Sequence, residues 1–280
     1  MSMHRAASLA LFWRRVASSL TIRLCAWRTR GASVGAIVVA AAIVASAQTS
    51  TPLQLRGRPQ HVYVYGPRTG PPIVVSSGDG GWIHLAPHVA AMLAARGHRV
   101  VGVDVRAYLE SFTSARSTLR IEDEPGDYRT LIHAATGDGA RKAILVGVSE
   151  GAGLSVLAAA DAATRPAILG VVGLGLPDRN ELGWRWRDAL TYLTHKLPDE
   201  PTFSTAAIIA KTAPVPIAAI HSTHDEYVPL AEIRRVLQRA TSPTRLWVVD
   251  ASDHRFSDNL AAFDRSLLES MAWIEANAPR

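Results

Sequence analysis

The sequence predicts an α/β fold with a doubly wound, mostly parallel sheet. Its apolar runs are short and rich in β-branched residues, as expected of strands that are buried on both faces, and apolar helix-forming segments alternate with them. Strands are predicted at 61–66, 71–77, 98–105, 142–149, 168–176, 215–222 and 244–250. Helices are predicted at 85–97, 153–163, 229–240 and 259–276. We expect one domain at 48–280.

One of these strands ends in the string GVSEG at 147–151, and a helix follows directly. This is the G-x-S-x-G pattern of a nucleophile elbow, in which a serine occupies a tight, strained turn between strand and helix. Gly147 and Gly151 leave room for that turn. The turn would expose the Ser149 hydroxyl and place the Glu150 backbone N–H at a helix N-terminus, where it can bind an oxyanion. A serine that only links strand to helix is the alternative.

A serine nucleophile needs a base, and the base needs an orienting acid. Asp225 follows the strand predicted at 215–222, and His254 follows the strand predicted at 244–250. The order serine, acid, histidine along the chain is that of α/β-hydrolases and differs from the orders in chymotrypsin and subtilisin. The sequence therefore predicts a catalytic triad of Ser149, Asp225 and His254.

Other residues near these two strand ends are alternatives. Asp225 could instead cap the next helix, and Glu226 or Asp250 could supply the acid. His221 and His224 are rival bases, but they precede the acid, so chain order favours the later histidine. A metal site of His221, His224 and Asp225 is disfavoured, because i and i+3 at a strand end direct the imidazoles to opposite faces. We predict no metal and no cofactor.

The first 47 residues have the pattern of an export signal. They carry six arginines and no acidic residue, and an uncharged apolar run at 34–45 ends in Ala45-Ser46-Ala47. A basic region, an apolar region and an A-x-A site are the parts of a cleaved signal peptide. We expect cleavage after Ala47 and a periplasmic protein. An uncleaved anchor is the alternative, although the run is shorter than the ~20 residues of a membrane span.

The positive net charge of the chain comes from this leader. The whole chain has 30 Lys and Arg against 24 Asp and Glu, a net charge of +6, and removing six arginines leaves 30 − 6 = 24 basic residues and a net charge of zero. The basic composition is therefore a targeting signature and does not indicate nucleic-acid binding. The only cysteine, Cys25, lies in the leader, so residues 48–280 form no disulfide and depend on their apolar core.

Residues 177–213 are less regular and are predicted to form a small cap over the edge where the parallel strands end, which is where ligands bind in open α/β sheets. Its aromatic and basic residues are Trp184, Arg185, Trp186, Arg187, Tyr192 and Lys196. This mixture would suit a phospholipid headgroup and peripheral contact with a membrane. Covering the sheet edge explains the tryptophans equally well.

A second string, SGDGGW at 77–82, follows the strand predicted at 71–77, and VVGVD at 100–104 and Tyr108 come after the next helix. Together with the GVSEG elbow, these residues resemble the VirJ/AcvB family of secreted bacterial virulence hydrolases. The similarity extends over roughly 70–260. It implies an α/β-hydrolase fold, a periplasmic site and hydrolysis of aminoacylated phosphatidylglycerol, notably the lysyl form.

The resemblance also implies that Ser149, Asp225 and His254 are the family's triad. Glu150 departs from the pattern, because the family leads us to expect an aromatic residue directly after the serine. This departure bears on the identity of the aminoacyl group more than on the type of reaction.

The residues around the predicted serine are compatible with such a substrate. Gly78 and Asp79 lie between a strand and a helix, where hydrolases place the second N–H of the oxyanion hole. The carboxylates of Asp79 and Glu150 would attract a substrate with an ammonium group near the scissile ester; pointing to water or capping helices is the alternative. Trp82 and Tyr108 are further candidate substrate contacts.

We therefore expect an exported serine hydrolase that cleaves a carboxylic ester through an acyl-enzyme, with aminoacylated, lysyl-type phosphatidylglycerol as the expected substrate. A carboxylesterase or lipase acting on neutral acyl esters is the first alternative. A non-catalytic binding protein on a hydrolase scaffold, involved in secretion or virulence, is the second. The presence of all three triad residues argues against that class.

Overall fold

The computed structural model describes residues 48–137, 141–186 and 200–279, all within one compact unit. The predicted leader at 1–47 lies outside the described residues, as do Arg187, Tyr192 and Lys196 of the predicted cap. In the described ranges, eight strands form one sheet in the order β1-β2-β4-β3-β5-β6-β9-β10. Strands β3, β4, β5, β6, β9 and β10 are parallel to one another, β2 is antiparallel to β4, and β1 is antiparallel to β2. The predicted α/β fold with a mostly parallel sheet is confirmed.

The strands of this sheet are β1 (Thr49–Leu55), β2 (Arg58–Tyr65), β3 (Pro72–Ser76), β4 (Arg99–Val103), β5 (Ala143–Val148), β6 (Ile168–Leu174), β9 (Ile217–Ser222) and β10 (Thr244–Val249). A separate two-stranded ribbon joins β7 (Arg179–Glu181) to β8 (Thr202–Ser204). The helices are α1 (Leu85–Ala95), α2 (Val105–Phe112), α3 (Glu124–Thr136), α4 (Glu150–Ala160), α5 (Thr205–Ile208), α6 (Leu230–Leu237) and α7 (Leu260–Asn277). Short 3-10 helices occupy Arg165–Ala167 and Ile209–Thr212.

Two apolar cores lie on opposite faces of the sheet. Leu131 of α3 and Leu154 of α4 belong to one core, and Val89 of α1 and Phe263 of α7 belong to the other. Strand β5 is buried along its whole length, which is why its sequence is continuously apolar instead of alternating. All seven strands and all four helices predicted from sequence are present, with bounds that differ by a few residues.

The sheet begins with a hairpin that the sequence did not predict. Strands β1 and β2 are joined by Arg56 and Gly57, whose φ angles of 47° and 76° are both positive. Tight two-residue hairpins require this conformation, because it matches the twist of the paired strands. The Arg56 guanidinium donates to Asp127 of α3, so the turn is tied to the main body of the domain.

The parallel strands end at one edge of the sheet, called here the carboxyl edge. Loops 77–84, 223–229 and 250–259 follow β3, β9 and β10 there, and the elbow follows β5. The β7–β8 ribbon also reaches this edge, since Glu181 contacts Glu150 at the start of α4. The ribbon flanks residues 187–199, which lie outside the described residues, so the cap stays a prediction there. Within the described ranges, no helix is both long and apolar enough to span a bilayer.

Candidate active site

The turn at Ser149 has the strained backbone expected of a nucleophile elbow. Ser149 has φ 50° and ψ −116° and immediately precedes α4, a conformation that costs a non-glycine residue of order 1–3 kcal/mol. A Cβ on Gly147 would lie 2.2 Å from the Gly151 carbonyl oxygen, and a Cβ on Gly151 would lie 2.3 Å from the Ser77 carbonyl oxygen. Both glycines are therefore required by contacts with backbone, as their spacing in the sequence indicates.

Asp225, in the loop after β9, and His254, in the loop after β10, form a short hydrogen bond. His254 Nδ1 lies 2.6 Å from Asp225 Oδ2, and the two side chains are 9% and 1% exposed. The other oxygen, Oδ1, accepts from the backbone N–H groups of Tyr227 and Val228 at 3.0 and 2.8 Å. Burial acts to raise the pKa of Asp225, but the hydrogen bond and charge of His254 outweigh it and lower that pKa. Asp225 is therefore held as a carboxylate.

Strand β6 connects this pair to the elbow. The Ser149 backbone N–H donates to Leu174 O at 2.8 Å, and the next residue, Gly175, supports the imidazole. Gly175 has φ 60°, and a Cβ there would lie 2.3 Å from His254 Cε1. Within the described chain, Ser149 Oγ and His254 make no mutual hydrogen bond. Such contacts are often long in unliganded enzymes and shorten when substrate binds.

Two residues beside Asp225 also contact His254. Glu226 Oε2 accepts the His254 backbone N–H at 2.8 Å, so it holds the loop that carries the imidazole. The Tyr227 ring meets the imidazole edge-on, with 5.5 Å between ring centroids. The segment 225–227 thus contacts the histidine through a carboxylate, a backbone hydrogen bond and an aromatic ring.

The SGDGGW string folds into a turn beside the serine. Gly78 is so close that its Cβ position is 3.4 Å from Ser149 Cβ, and the Gly81 N–H donates to Gly78 O at 3.0 Å. Gly81 has φ 92°, which favours glycine. The Trp82 N–H donates to Asp104 at 3.2 Å, which anchors the end of the turn. The Gly78 end of this turn therefore lies beside the first residue of α4, which is where the sequence predicts the oxyanion hole.

The carboxylates expected near the serine are present, together with a third. Glu150 is 7% exposed and accepts a hydrogen bond from the Glu181 backbone N–H. Burial and the charges of Asp79 and Glu181 raise the pKa of Glu150 well above its ordinary value. Glu181 comes from the β7–β8 ribbon and was not expected at the site. Only an irregular stretch of sequence pointed to it.

Two of the expected substrate contacts are wrong. Tyr108 is 2% exposed and donates its hydroxyl to Asp127 Oδ2 at 2.7 Å inside the core. Trp82 stacks on Tyr63 with 4.7 Å between ring centroids and covers Gly102 of β4. A small residue in a strand thus makes room for the Trp82 ring, which packs on the sheet instead of facing the serine.

The remaining candidates have other contacts. Asp250 accepts from the Thr223 hydroxyl at 3.0 Å, and His224 Nδ1 lies 3.0 Å from Thr223 Oγ1. His221 is completely buried, and its Nε2 lies 2.8 Å from Val228 O. Asp225 is thus the one of the three candidate acids whose carboxylate pairs with the His254 imidazole.

The cap residues that the structure describes have two different environments. Trp184 is 4% exposed, and the Arg106 guanidinium lies 3.9 Å from the centre of its ring. Arg185 forms an ion pair with Glu200 across the undescribed segment. Trp186 is 70% exposed. Trp184 is therefore part of the core, and Trp186 is the exposed tryptophan of this pair.

Comparison with known proteins identifies the family. The model of the family described as bacterial virulence protein VirJ matches residues 72–273. The chain belongs to this family. The match confirms the resemblance to VirJ that the SGDGGW and GVSEG strings indicated. A search of the curated proteins finds no match to this chain.

Solved structures with the same fold include several ester-cleaving enzymes by their titles. Est1E from Butyrivibrio proteoclasticus is 15% identical, with 81% of this chain and 99% of that chain covered and a TM-score of 0.57. The naproxen esterase of Bacillus subtilis is 15% identical over 81% and 92%, with a TM-score of 0.58. A membrane phospholipase A described as a bacterial virulence factor is 13% identical over 80% and 86%, with a TM-score of 0.57. These similarities confirm the predicted α/β-hydrolase fold.

Proposed function

We propose that this VirJ-family protein is an exported serine hydrolase that cleaves a carboxylic ester through an acyl-enzyme. Ser149 attacks the carbonyl carbon, and His254 takes the hydroxyl proton and later passes it to the leaving alcohol. Asp225 orients the imidazole and stabilises its charged form. The N–H groups of Glu150 and of the turn at Gly78 and Asp79 bind the oxyanion. Water then attacks the acyl-enzyme, and Ser149 is released.

The observation that carries this proposal is the 2.6 Å bond between His254 and Asp225 beside the strained turn of Ser149. Backbone strain at a functional turn persists only where the surrounding structure enforces it, and here Gly147 and Gly151 do so. The family and the fold shared with an esterase and a phospholipase support an ester hydrolase in general.

For the substrate, we propose an ester that carries an ammonium group near the scissile bond, as an aminoacylated, lysyl-type phosphatidylglycerol does. Burial raises the pKa of Glu150, and the nearby charges of Asp79 and Glu181 raise it further. An ammonium group between these carboxylates would relieve the repulsion and would pull the pKa of Glu150 back down. A cationic substrate thus gains binding free energy that a neutral ester does not.

We place the protein in the periplasm, facing the membrane that supplies its substrate. The basic leader with its A-x-A site is the basis for export, and a virulence family is compatible with it. The exposed Trp186 ring is of the type found at membrane interfaces. A phospholipid headgroup is therefore the proposed partner, with peripheral contact between protein and bilayer.

A carboxylesterase acting on neutral acyl esters is the second candidate. Burial favours the protonated form of Glu150, and a protonated carboxyl group adds no negative charge to the site. The two candidates therefore differ in whether the carboxylates or the apolar surroundings of the site select the substrate.

The test compares wild-type protein with Ser149→Ala on extracted bacterial lipids, followed by mass spectrometry. The variant should lose on the order of 10⁴ or more in kcat, because it lacks the nucleophile, and its circular dichroism should not change. Aminoacylated phosphatidylglycerol should disappear only with wild type. Loss of ordinary diacyl lipids instead would support the neutral esterase or lipase. Loss of nothing would support a binding role.

Amide variants separate the charge from the shape of the site. Asp79→Asn and Glu150→Gln should each raise the activation free energy for cleavage of the lysyl ester by ~1–3 kcal/mol, the scale of a charged hydrogen bond. Cleavage of a neutral p-nitrophenyl ester should change little. Glu122→Gln is the matched control, because that carboxylate is 54% exposed on the surface. Equal slowing of both esters would contradict recognition of the ammonium group.

A further inference from the structure

His221 is a buried histidine with a defined tautomer and no part in the proposed reaction. It is 0% exposed, and its Nε2 lies 2.8 Å from the Val228 carbonyl oxygen. A carbonyl oxygen only accepts hydrogen bonds, so Nε2 carries the proton. Nδ1 has no partner among the residues that the structure describes. The ring thus acts here as a single hydrogen-bond donor directed at one loop residue.

That loop residue is also held by the candidate acid. The Val228 N–H donates to Asp225 Oδ1 at 2.8 Å, and the Val228 carbonyl accepts from His221. Two side chains from one strand end therefore hold both backbone polar groups of Val228. With Oδ1 occupied in this way, Oδ2 is the atom left to face His254 at 2.6 Å. The orientation of the carboxylate depends on the position of Val228.

His221 also lies close to the acid itself. Its Nε2 is 3.7 Å from Asp225 Oδ2, which is beyond a good hydrogen bond but close enough for the two groups to interact electrostatically. Both side chains are buried, at 0% and 1% exposure, so this contact is little screened by water.

We propose that His221 is a positioning residue, which holds the 225–228 turn through Val228 so that Asp225 Oδ2 faces His254. The proposal rests on the proposed triad. It assigns no proton transfer to His221, because its Nε2 proton is engaged by Val228 and the ring has no access to solvent.

The charge state of His221 is compatible with this role. Burial lowers the pKa of His221, although the Val228 carbonyl and the charges of Asp225 and Glu232 act to raise it. The nearby His254 lowers it further. A neutral ring holds Val228 without placing a second cation beside Asp225, where it would compete with the imidazolium of His254.

Three substitutions at His221 test whether a hydrogen-bond donor is needed at the position of Nε2. In His221→Gln the amide nitrogen can reach the position of Nε2 and donate to Val228 O. In His221→Asn the amide is shorter and reaches only the position of Nδ1. His221→Leu has similar volume and no donor. We therefore expect the Gln variant to be about as active as wild type, and the Asn and Leu variants to be less active.

The first measurement is the rate at which a fluorophosphonate modifies Ser149, which does not require the natural substrate. We expect Asn and Leu to slow this reaction by roughly 10²-fold, the loss that a displacement of ~1 Å produces, and Gln to remain within about 3-fold of wild type, as expected of a retained donor. With an activated ester, kcat should fall while KM stays unchanged. A Leu variant as fast as wild type, or a Gln variant as slow as Leu, would overturn the proposal.

The second measurement is proton NMR of the hydrogen bond between His254 and Asp225, which gives a resonance far downfield. This signal should persist in His221→Gln and shift or vanish in His221→Asn and His221→Leu. Nitrogen NMR of wild type should show His221 as the Nε2–H tautomer, and finding the proton on Nδ1 would overturn the proposal even if every variant misfolds. A protein that resists the fluorophosphonate but shows the expected NMR pattern would refute the proposed hydrolase and retain the positioning role.

Discussion

The two halves of the candidate site are built in different ways. The half with Ser149 is set by one continuous string, whose strained φ of 50° and flanking glycines are properties of the local backbone. The half with Asp225 and His254 joins two loops, 29 residues apart in sequence, through side-chain hydrogen bonds. The position of the nucleophile therefore depends on the absence of side chains at its flanking glycines. The position of the acid–base pair depends on hydrogen bonds between loops.

The two halves also differ in electrostatics. Near Ser149, burial and the charges of Asp79 and Glu181 raise the pKa of Glu150. In the other half, the Asp225 carboxylate faces the His254 imidazole, and its pKa is lowered. One half holds acidic side chains close together, and the other pairs its carboxylate with an imidazole.

Glycine substitutions should impair the two halves in distinguishable ways, and they have the largest expected effect among variants that keep Ser149, Asp225 and His254. In Gly151→Ala the new Cβ meets backbone oxygens of Ser76 and Ser77, at 2.7 and 2.3 Å. The sheet would have to move, so stability should fall by ~1–3 kcal/mol, as on overpacking. In Gly175→Ala the three atoms nearest to the new Cβ all belong to the His254 imidazole, so activity should fall about 10²-fold or more.

The measurements are urea unfolding and fluorophosphonate labelling on the same samples. Gly97→Ala is the control for backbone strain, because Gly97 has φ 87° and a Cβ there would meet nothing within 4 Å. It should lose ~1 kcal/mol of stability and remain active. If Gly175→Ala is labelled as fast as Gly97→Ala, the imidazole does not depend on the space that Gly175 leaves.

The elements with a regular apolar pattern could be predicted, and those without one could not. Strands β5 and β9 are buried along their whole length, and their sequences show it. Strand β1 is almost wholly exposed, so no apolar run indicates it. Helix α3 buries Glu124 and Asp127 in its first turn, and these acidic residues conceal its amphipathic pattern. The spacing of apolar residues in a sequence cannot show that an acidic side chain is buried by tertiary contacts.

The site shows the same division. Ser149, Asp225 and His254 could be chosen because each follows a strand that the sequence predicts, and chain order selects among rivals. Gly175 lies in an apolar run whose glycines look like part of a strand, and only the fold brings the imidazole against it. Glu181 reaches the site through the pairing of β7 with β8. Trp82 and Tyr108 carried the family resemblance, but their contacts are structural.

The two halves should respond to pH in opposite directions. The pKa of Asp225 is lowered below its ordinary 3.8, so the stability it contributes is present above pH 3.8 and is lost as the pH falls through the lowered value. The pKa of Glu150 is raised above its ordinary 4.5, so full stability is present below pH 4.5 and is lost as the pH rises.

Urea unfolding of two amide variants from about pH 2 to pH 8 checks these signs. Asp225→Asn should be less stable than wild type at neutral pH, with a difference that shrinks in acid. Glu150→Gln should be more stable than wild type at neutral pH and equal to it near pH 4, while its amide oxygen still accepts from the Glu181 N–H. Parallel pH profiles for the two variants would contradict the electrostatic difference between the halves.

The smallest expected effect is at Glu226. Variants of this residue test whether His254 depends on its backbone hydrogen bond to Glu226 or on the negative charge of that side chain. Its Oε2 accepts the His254 backbone N–H at 2.8 Å, while its side chain lies at the surface. Glu226→Gln keeps an acceptor oxygen and should change kcat by less than about 2-fold, whereas Glu226→Ala should lower it roughly 5- to 10-fold through the lost hydrogen bond of ~1 kcal/mol. Steady-state kinetics with an activated ester at low and high salt separate the explanations. If the Gln variant is as slow as the Ala variant, and if its loss of kcat is larger at low salt, the negative charge of Glu226 stabilises the imidazolium. The hydrogen bond between Glu226 and the His254 backbone would then be secondary.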